Sequence, residues 1–187
     1  RQAGDQGLVG TITMNLASVH VRRSEYARAL EGYAEALAIH RDVESRVGEG
    51  QVLGNLGMVH AILGDYPGAL EYLLQAIEID EQEGFQFDLA ADYAMIANLY
   101  FDLAQYRTAI DFQKRSLEIR TRLGDHLGQA SVLINLGNTY GALREVDAAI
   151  ESHEQALALL LTLDNPSLTV QCLGNLGNDY LLRNHEA

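Results

Sequence analysis

The sequence predicts an all-α protein, built as a solenoid of antiparallel helix pairs. One observation is a segment that returns at a spacing of 40 residues, as Asn55-Leu56-Gly57, Asn135-Leu136-Gly137 and Asn175-Leu176-Gly177. Another is that apolar residues within one period lie three or four positions apart, which is the spacing of one helix face. A fixed period of this length is the signature of a solenoid, because each helical hairpin buries its apolar face only against its neighbours.

Other columns of the sequence keep the same spacing. Asn15-Leu16-Ala17 and Met95-Ile96-Ala97 occupy the two remaining places of the asparagine segment. A small residue followed by an aliphatic one recurs at Ala29-Leu30, Ala69-Leu70, Ala109-Ile110 and Ala149-Ile150. Aromatic residues share two more columns, one with Tyr26, Tyr66, Tyr106 and then Val146, the other with His20, His60, Tyr100, Tyr140 and Tyr180. Agreement between independent columns indicates true repeats.

Each period contains two helices joined by a capped turn. Gly64-Asp65 precedes Tyr66-Pro67, where Asp caps a helix and Pro fits its first turn, and Asn165-Pro166 opens the last helix in the same way. We expect first helices near residues 11–22, 48–63, 88–103, 128–143 and 167–183, and second helices near 26–44, 66–82, 106–122 and 146–163. Residues 1–187 then form a single array with repeats 8–47, 48–87, 88–127 and 128–167 and a partial repeat 168–187, whose helix has no partner.

Composition excludes several classes of function. The chain has 187 residues with 13 Lys and Arg against 26 Asp and Glu, and its net charge of −13 opposes binding to nucleic acid or to anionic membranes. Its apolar runs are too short to cross a bilayer. The single cysteine, Cys172, cannot form an internal disulfide, so we expect a cytoplasmic protein. Because the chain starts at Arg1 without Met, we expect it to be a piece of a longer protein.

These residues resemble the tetratricopeptide repeat family, whose pattern places a large residue, Leu-Gly and Tyr on the first helix and Ala, Phe and Ala on the second. The second repeat matches with Leu53, Leu56-Gly57, His60, Ala69, Leu73 and Ala76, and the fourth with Leu133, Leu136-Gly137, Tyr140, Ala149, His153 and Ala156. The period is 40 rather than 34, and the terminal Pro is absent from its column of Arg41, Glu81, Thr121 and Leu161. Since Gly84 and Gly124 come late, we expect the second helix and its turn to be longer than in the family.

The resemblance implies a right-handed superhelix whose first helices line a concave groove. Its long repeats are similar in style to those of Pins-type adaptors, kinesin light chain and bacterial tetratricopeptide regulators. We also expect Gly57 and Gly137 to be small because the second helix of the same hairpin crosses there.

Two columns of the first helices carry the predicted peptide-binding groove. One runs Asn15, Asn55, Met95, Asn135 and Asn175, and the adjacent one Ser18, Met58, Asn98, Asn138 and Asn178. Asparagine is a poor helix former, so its repetition at one position requires a reason. A carboxamide offers both donors and an acceptor and can pair with the main chain of an extended peptide, a use that the resemblance to Pins-type adaptors also implies. The alternative is that these amides only link one repeat to the next.

The expected partner is a protein or peptide segment that is uncharged and partly hydrophobic. Neighbouring inner positions are neutral or apolar: Gln51, Gly54, Ala61, Ile62, Ala94, Phe101, Ile134, Leu181 and Leu182. Family members that clamp chaperone carboxylates place Lys and Arg on the inner face, whereas only Arg22 is a candidate here. A carboxylate clamp is therefore not expected.

No motif for catalysis, metal binding or a cofactor is present in the sequence, so we predict neither an enzyme nor a cofactor. His20, His60 and His153 fall in packing columns. The acidic run at residues 78–81 is expected on the solvated outer face of a second helix. Cys172, next to the expected core residue Leu173, is interpreted as a small buried hydrophobe.

The sequence favours a non-enzymatic protein-interaction scaffold. One alternative is the sensory or autoinhibitory region of a larger signalling protein, such as a cyclase, a protease or a transcription regulator. Self-association is a further possibility, because the unpaired last helix exposes an apolar face that a second copy could cover.

Overall fold

A computed structural model describes the backbone of residues 2–186 and the side chains of residues 6–184. That part of the chain contains nine α-helices and no strand. Their bounds are α1 (Gln2–Arg22), α2 (Tyr26–Asp42), α3 (Arg46–Ile62), α4 (Tyr66–Glu83), α5 (Gln86–Asp102), α6 (Tyr106–Leu123), α7 (His126–Ala142), α8 (Val146–Leu163) and α9 (Pro166–Glu186). The predicted all-α solenoid of helix pairs is confirmed.

The predicted helix bounds agree with these to within two residues, except at the two ends of the array. Helix α1 begins at Gln2 rather than near residue 11, and α9 ends at Glu186 rather than near residue 183. In α1 the first turns contain glycines and exposed apolar side chains such as Leu8 and Val9, so they lack the buried spacing on which the prediction depended. No described helix is long and apolar enough to cross a lipid bilayer.

The turns repeat as regularly as the helices. One residue with a positive φ follows each complete first helix and one follows each second helix; they are Ser24, Gly64, Ala104 and Arg144, and Glu44, Gly84, Gly124 and Asp164. The Asp65 side chain accepts a hydrogen bond from the Gly68 backbone N–H (3.2 Å). Asp125 and Asn165 cap α7 and α9 in the same way. The predicted caps are therefore confirmed, and Gly84 and Gly124 are the left-handed residues that end α4 and α6.

The chain divides into two compact units, which we call the first unit (Arg1–Met95) and the second unit (Ile96–Ala187). Helix α5 contributes residues 86–95 to the first unit and residues 96–102 to the second.

In the first unit, α1 packs on α2 and α3 on α4, and the first helices α1 and α3 also contact each other. A Cβ added at Gly57 would lie 2.6 Å from Cγ of Leu73 on α4, so this position must be small. A core cluster joins the three helices α1, α2 and α3 through the apolar residues Met14, Ala17, Ala29, Tyr33, Ala36, Val52, Leu56 and Val59.

In the second unit, α7 packs on α8 and α8 on α9, and the first helices α7 and α9 contact each other. Gly137 has the role of Gly57, since an added Cβ would lie 2.5 Å from His153 Nε2. The core here contains Ala130, Leu133, Ile134, Ala156, Leu160 and Cys172. Both predicted close approaches of the paired helices are confirmed.

Candidate functional site

The asparagine columns of the second unit form hydrogen bonds between successive first helices. Asn135 Nδ2 on α7 donates to Asn98 Oδ1 on α5 (3.2 Å), and Asn175 Nδ2 on α9 donates to Asn138 Oδ1 on α7 (2.8 Å). Asn135, Asn138 and Asn175 are half-buried, whereas Asn98 and Asn178 are exposed. The amides therefore do link repeats in this unit, as the alternative interpretation expected, and their side chains still reach the surface.

The same columns differ in the first unit. Asn15 is exposed and Asn55 is half-buried, and neither has a hydrogen-bond partner among the described residues. Met58 is half-buried and, with Met95, stands where the second unit has a linked asparagine pair. Ser18 bonds to its own helix at Met14 O (3.1 Å) and to Tyr33 Oη (2.9 Å) instead. The carboxamide of Asn55 thus remains available.

Asn55 lies on an open pocket of about 210 Å³ in the first unit. Only first helices line it: Met14 from α1, then Gly50, Gln51, Gly54 and Asn55 from α3, and Asp88, Ala91, Asp92 and Met95 from α5. The pocket therefore occupies the face that the sequence analysis assigned to ligand binding.

The pocket lies where Gly54 replaces the larger Met14 and Ile134 of its repeat column, which also holds Ala94 and Gly174. Its counterparts 40 residues before and 80 residues after are Met14 and Ile134, and both are buried in the core of their own unit. Ile134 is only 2% exposed, so its predicted place among the groove-lining residues is wrong. At Gly54 the corresponding space holds no side chain, which leaves a cleft in front of Asp92.

Asp92 is the least expected residue of the pocket. It is 4% exposed and has no hydrogen bond or ion pair among the described residues. A Cβ added at Gly54 would lie 2.8 Å from Asp92 Oδ1, so glycine makes room for the carboxyl group. Burial, together with the nearby charges of Asp80 and Asp88, raises the pKa of Asp92 to about 8.

A second buried carboxyl group lies behind the pocket. Asp80, on α4, is 1% exposed, and its Oδ2 atom has no partner. A Cβ added at Gly50 would lie 3.0 Å from Asp80 Oδ1. Burial, and then the charge of Asp88, raises the pKa of Asp80 to about 7. The expectation that the acidic run 78–81 lies wholly on a solvated face is therefore wrong for Asp80, because residue 80 shares a helix face with the buried Ala76 and Ile77.

The sequence analysis missed Asp80, Asp88 and Asp92, although the repeat carries a signal for one of them. Asp92 interrupts a column of Ile12, Val52, Val132 and Cys172, all of them apolar. A charged residue in an otherwise apolar column of a solenoid predicts a buried carboxyl group, and this test identifies Asp92.

Three histidines, at positions 20, 60 and 153, form contacts within the fold. His20 Nδ1 lies 2.6 Å from Glu25 Oε2, and His60 Nδ1 lies 2.8 Å from Asp65 Oδ2. His153 is buried, with Nδ1 2.6 Å from Asp179 Oδ2 and Nε2 3.2 Å from the Ile134 carbonyl. Each of the three residues has a structural contact, as its packing column predicts.

The prediction for Cys172 is partly confirmed. Cys172 is buried, and its thiol donates to the His153 carbonyl oxygen (3.2 Å). Its neighbour Leu173 is 49% exposed, so the expectation that Leu173 belongs to the core is wrong. The face of α9 that carries Leu173 has no second helix packed on it within the described residues.

Comparison with known proteins identifies the repeats. The family model described as tetratricopeptide repeat matches residues 8–82 and 88–162. Among proteins with curated functions, none matches the chain.

Several solved structures share the fold. BtubC (BKLC) from P. vanneervenii is 24% identical, with a TM-score of 0.88 over 96% of this chain and 74% of that one. Kinesin light chain repeats from Podosopora anserina are 18% identical, with a TM-score of 0.77 over 94% of this chain and 87% of that one. A signal transduction ATPase of Pyrococcus horikoshii with a tetratricopeptide repeat sensor is 17% identical, with a TM-score of 0.82 over 93% of this chain and 27% of that one. With its family model matched over most of its length, the chain belongs to the tetratricopeptide repeat family.

Proposed function

We propose that this chain is a non-enzymatic scaffold that binds a segment of another polypeptide along the inner face of its first helices. Repeats of this family generally mediate protein–protein interaction. The observation that carries the proposal is the pocket of the first unit, which only first helices line and onto which the unpaired Asn55 carboxamide opens.

The linked amides of the second unit are compatible with the same role. An Asn side chain has two N–H donors and an oxygen with two lone pairs, so Asn135 keeps one N–H and its oxygen after donating to Asn98. A peptide main chain needs one donor and one acceptor at each such contact. Linking the repeats would hold the amides in place before the peptide arrives, which lowers the entropy cost of binding.

We propose that the bound segment is largely uncharged and partly hydrophobic where it meets the groove outside the pocket of the first unit. Two exposed apolar side chains support this choice, Ile62 at the end of α3 and Leu181 on α9, because each removes apolar surface from water when covered. In addition, the net charge of −13 would repel a strongly acidic segment.

A peptide-library experiment tests the proposal. The 187-residue chain is immobilised, exposed to a random peptide library, and washed, and retained peptides are sequenced. We expect retention to fall when Asn55 or Asn135 is replaced by Ala, because each replacement removes a main-chain contact. Gln155→Ala, which removes an exposed amide from the second helix α8, is the matched control and should leave retention unchanged. A library from which nothing is retained, or retention indifferent to both Asn variants, contradicts the proposal.

A regulatory role is the second candidate, favoured by the similarity to the ATPase with a tetratricopeptide repeat sensor. In this version the repeats are the sensory or autoinhibitory region of a larger signalling protein. The test is to sequence the gene beyond Ala187 and to delete the repeats from the product. A downstream catalytic or DNA-binding domain whose activity changes on deletion supports this role, and an unchanged activity contradicts it.

Self-association through α9 is a third proposal. Val170 and Leu181 of this helix are 70% and 60% exposed, and a second copy would cover them. Light scattering over a concentration series should then show a rising molecular mass. A constant monomer mass excludes it.

A further inference from the structure

We infer that the pocket between α1, α3 and α5 in the first unit binds the guanidinium group of an arginine side chain in the captured polypeptide. The inference rests on the proposed function and assigns the chemistry of one of its subsites. It depends on the carboxyl groups of Asp92 and Asp88, the cleft left by Gly54, and the carboxamide of Asn55, all of which line the pocket.

The acidic side chains of the pocket have no basic partner among the described residues. Among the described residues, the charged groups that shift the pKa of Asp92 are Asp80, from α4, and Asp88, from its own helix, and both are acidic. Within the first unit, Arg46 and Arg41 are the basic side chains nearest in sequence to the pocket residue Gly50, and both bind Glu49 at 2.8 Å. A buried carboxylate without a cation or a hydrogen bond is costly, and a cationic ligand would remove that cost.

Other carboxylates of this chain show what such a group normally receives. Asp125 is paired with Arg120 at 2.5 Å, and Glu145 is paired with Arg107. Asp92 is more deeply buried than either and has no such partner. The pocket therefore surrounds a buried carboxyl group that has no partner, and a bound ligand would supply the missing cation.

The geometry favours arginine over a metal ion or lysine. No group of three or more His, Cys, Asp or Glu among the described residues is arranged to hold a metal ion. Gln51 Nε2 donates to Asp88 Oδ2 (3.4 Å), which leaves Asp88 Oδ1 for a ligand. A guanidinium has five donors in a planar fork and can reach several acceptors at once, whereas an ammonium is a compact point charge. The walls formed by Met14 and Met95 suit the apolar stem of a long basic side chain.

Binding should also be linked to protons. The carboxyl group of Asp92, with a pKa raised to about 8 by burial, holds a proton near neutral pH, and an arriving guanidinium displaces that proton. The affinity for an arginine peptide should consequently increase as the pH rises from about 6 to about 8, with Asp80 and Asp88 the titratable groups that face Asp92.

The test compares arginine with citrulline, its neutral analogue of similar shape. Pentapeptide libraries carry arginine, citrulline or lysine at the fixed central position, and retention on the 187-residue chain is measured. We expect arginine peptides to be retained about tenfold better than citrulline peptides. Asp92→Asn, which preserves side-chain volume, should bring this ratio close to one. Asp88→Asn, at a half-buried position of the pocket, should lower it several-fold.

Glu71→Gln is the matched control, because it removes the same charge from an exposed position of the same unit, and the ratio should not change. Equal retention of arginine and citrulline peptides overturns the inference and leaves the proposed function standing. Equal retention of lysine and arginine peptides overturns the assignment to a guanidinium. Retention of no peptide at all overturns both the inference and the proposed function.

Discussion

The two units place their buried polar groups differently although they share one repeat. In the first unit His40 has no partner for either ring nitrogen, and Asp80 has none for Oδ2. Asp92 is buried without a partner as well. In the second unit the same columns hold Arg120, which pairs with Asp125, and the apolar residues Leu160, Val132 and Cys172.

Where the second unit buries polar side chains, it mostly satisfies them. Gln113 Nε2 donates to Thr139 Oγ1 (2.9 Å), although its Oε1 atom has no partner. His153 has an oxygen atom within hydrogen-bond distance of each ring nitrogen. The same arrangement of helices can therefore hold either a tightly packed, apolar contact between repeats or a contact that contains a pocket and unpaired polar groups. Unsatisfied groups in a native structure require an explanation, and ligand binding is one.

The largest effect is expected from breaking the polar pair of the second unit. His153→Ala leaves the carboxylate of Asp179 buried and unpaired, which should lower the free energy of unfolding by about 3–5 kcal/mol in urea denaturation. The double variant His153→Gln/Asp179→Thr copies the Gln113–Thr139 pair of the preceding repeat and should recover most of the loss. A loss equally large in the double variant would show that volume, rather than the pair, determines the stability.

The first unit should respond to pH in the opposite sense to an ordinary carboxylate. Because burial raises the pKa of Asp92 to about 8 and that of Asp80 to about 7, the folded chain keeps protons that the unfolded chain releases above about pH 4. Stability is then full below that pH and is lost as the pH rises through about 7 and 8, by at most about 1.4 kcal/mol per pH unit for each group.

Urea midpoints measured across this range for the native chain and for Asp80→Asn/Asp92→Asn isolate the two groups. Burial lowers the pKa of His40, so its protonation opposes the trend at low pH in both proteins and cancels in the difference. If the urea midpoint depends on pH in the same way in both proteins, the carboxyl groups of Asp80 and Asp92 do not cause the pH dependence.

A smaller effect should follow from exchanging the links between repeats. The double variant Asn98→Met/Asn135→Met gives the second unit the pair Met58/Met95 of the first unit. We expect its unfolding free energy to stay within about 1 kcal/mol of the native value, while Asn135→Ala alone loses about 1 kcal/mol. A double-mutant cycle on Asn98 and Asn135 measures the coupling directly, and a coupling of zero contradicts the assigned hydrogen bond.

The smallest effect concerns one turn. Gly64 of the first unit has φ +78° and Ala104, at the same position of the second unit, has φ 57°. Since a Cβ disfavours this left-handed conformation, Ala104→Gly should stabilise the second unit by up to about 1 kcal/mol, and Gly64→Ala should destabilise the first. Thermal unfolding of both variants checks the sign. If Ala104→Gly destabilises, entropy of the unfolded chain outweighs the relief of strain.

Much of the fold could be predicted because burial recurs every 40 residues. The apolar columns of the sequence coincide with buried faces in the middle of the array, although their members Leu16 and Leu173 in the terminal helices are exposed. The Gly, Asp and Pro turn residues coincide with helix ends. The first turns of α1 could not be predicted in this way, since Leu8 and Val9 are exposed and the periodic signal depends on burial.

The candidate site could be predicted only in part. The asparagine columns could be recognised in the sequence. The hydrogen bonds between them depend on the distance between neighbouring helices, which the repeat spacing of the sequence does not specify. Asp80 was assigned to solvent because its sequence neighbours are charged, although residue 80 faces the same way as Ile77. The charged neighbours of Asp80 in the sequence therefore led to the wrong prediction. Its repeat column, which includes the buried residues His40 and Leu160, would have indicated burial.

The exchange of Gly54 and Asp92 for Ile134 and Cys172 has a consequence for how such arrays diversify. Each pair joins a first helix to the next one, and the helices that carry Gly54 and Ile134, α3 and α7, are both 17 residues long. We expect two substitutions at one junction to open or close a recess there while the scaffold keeps its fold. An ancestral array could thus acquire new specificity one junction at a time, and a protein engineer could do the same by transplanting the pair.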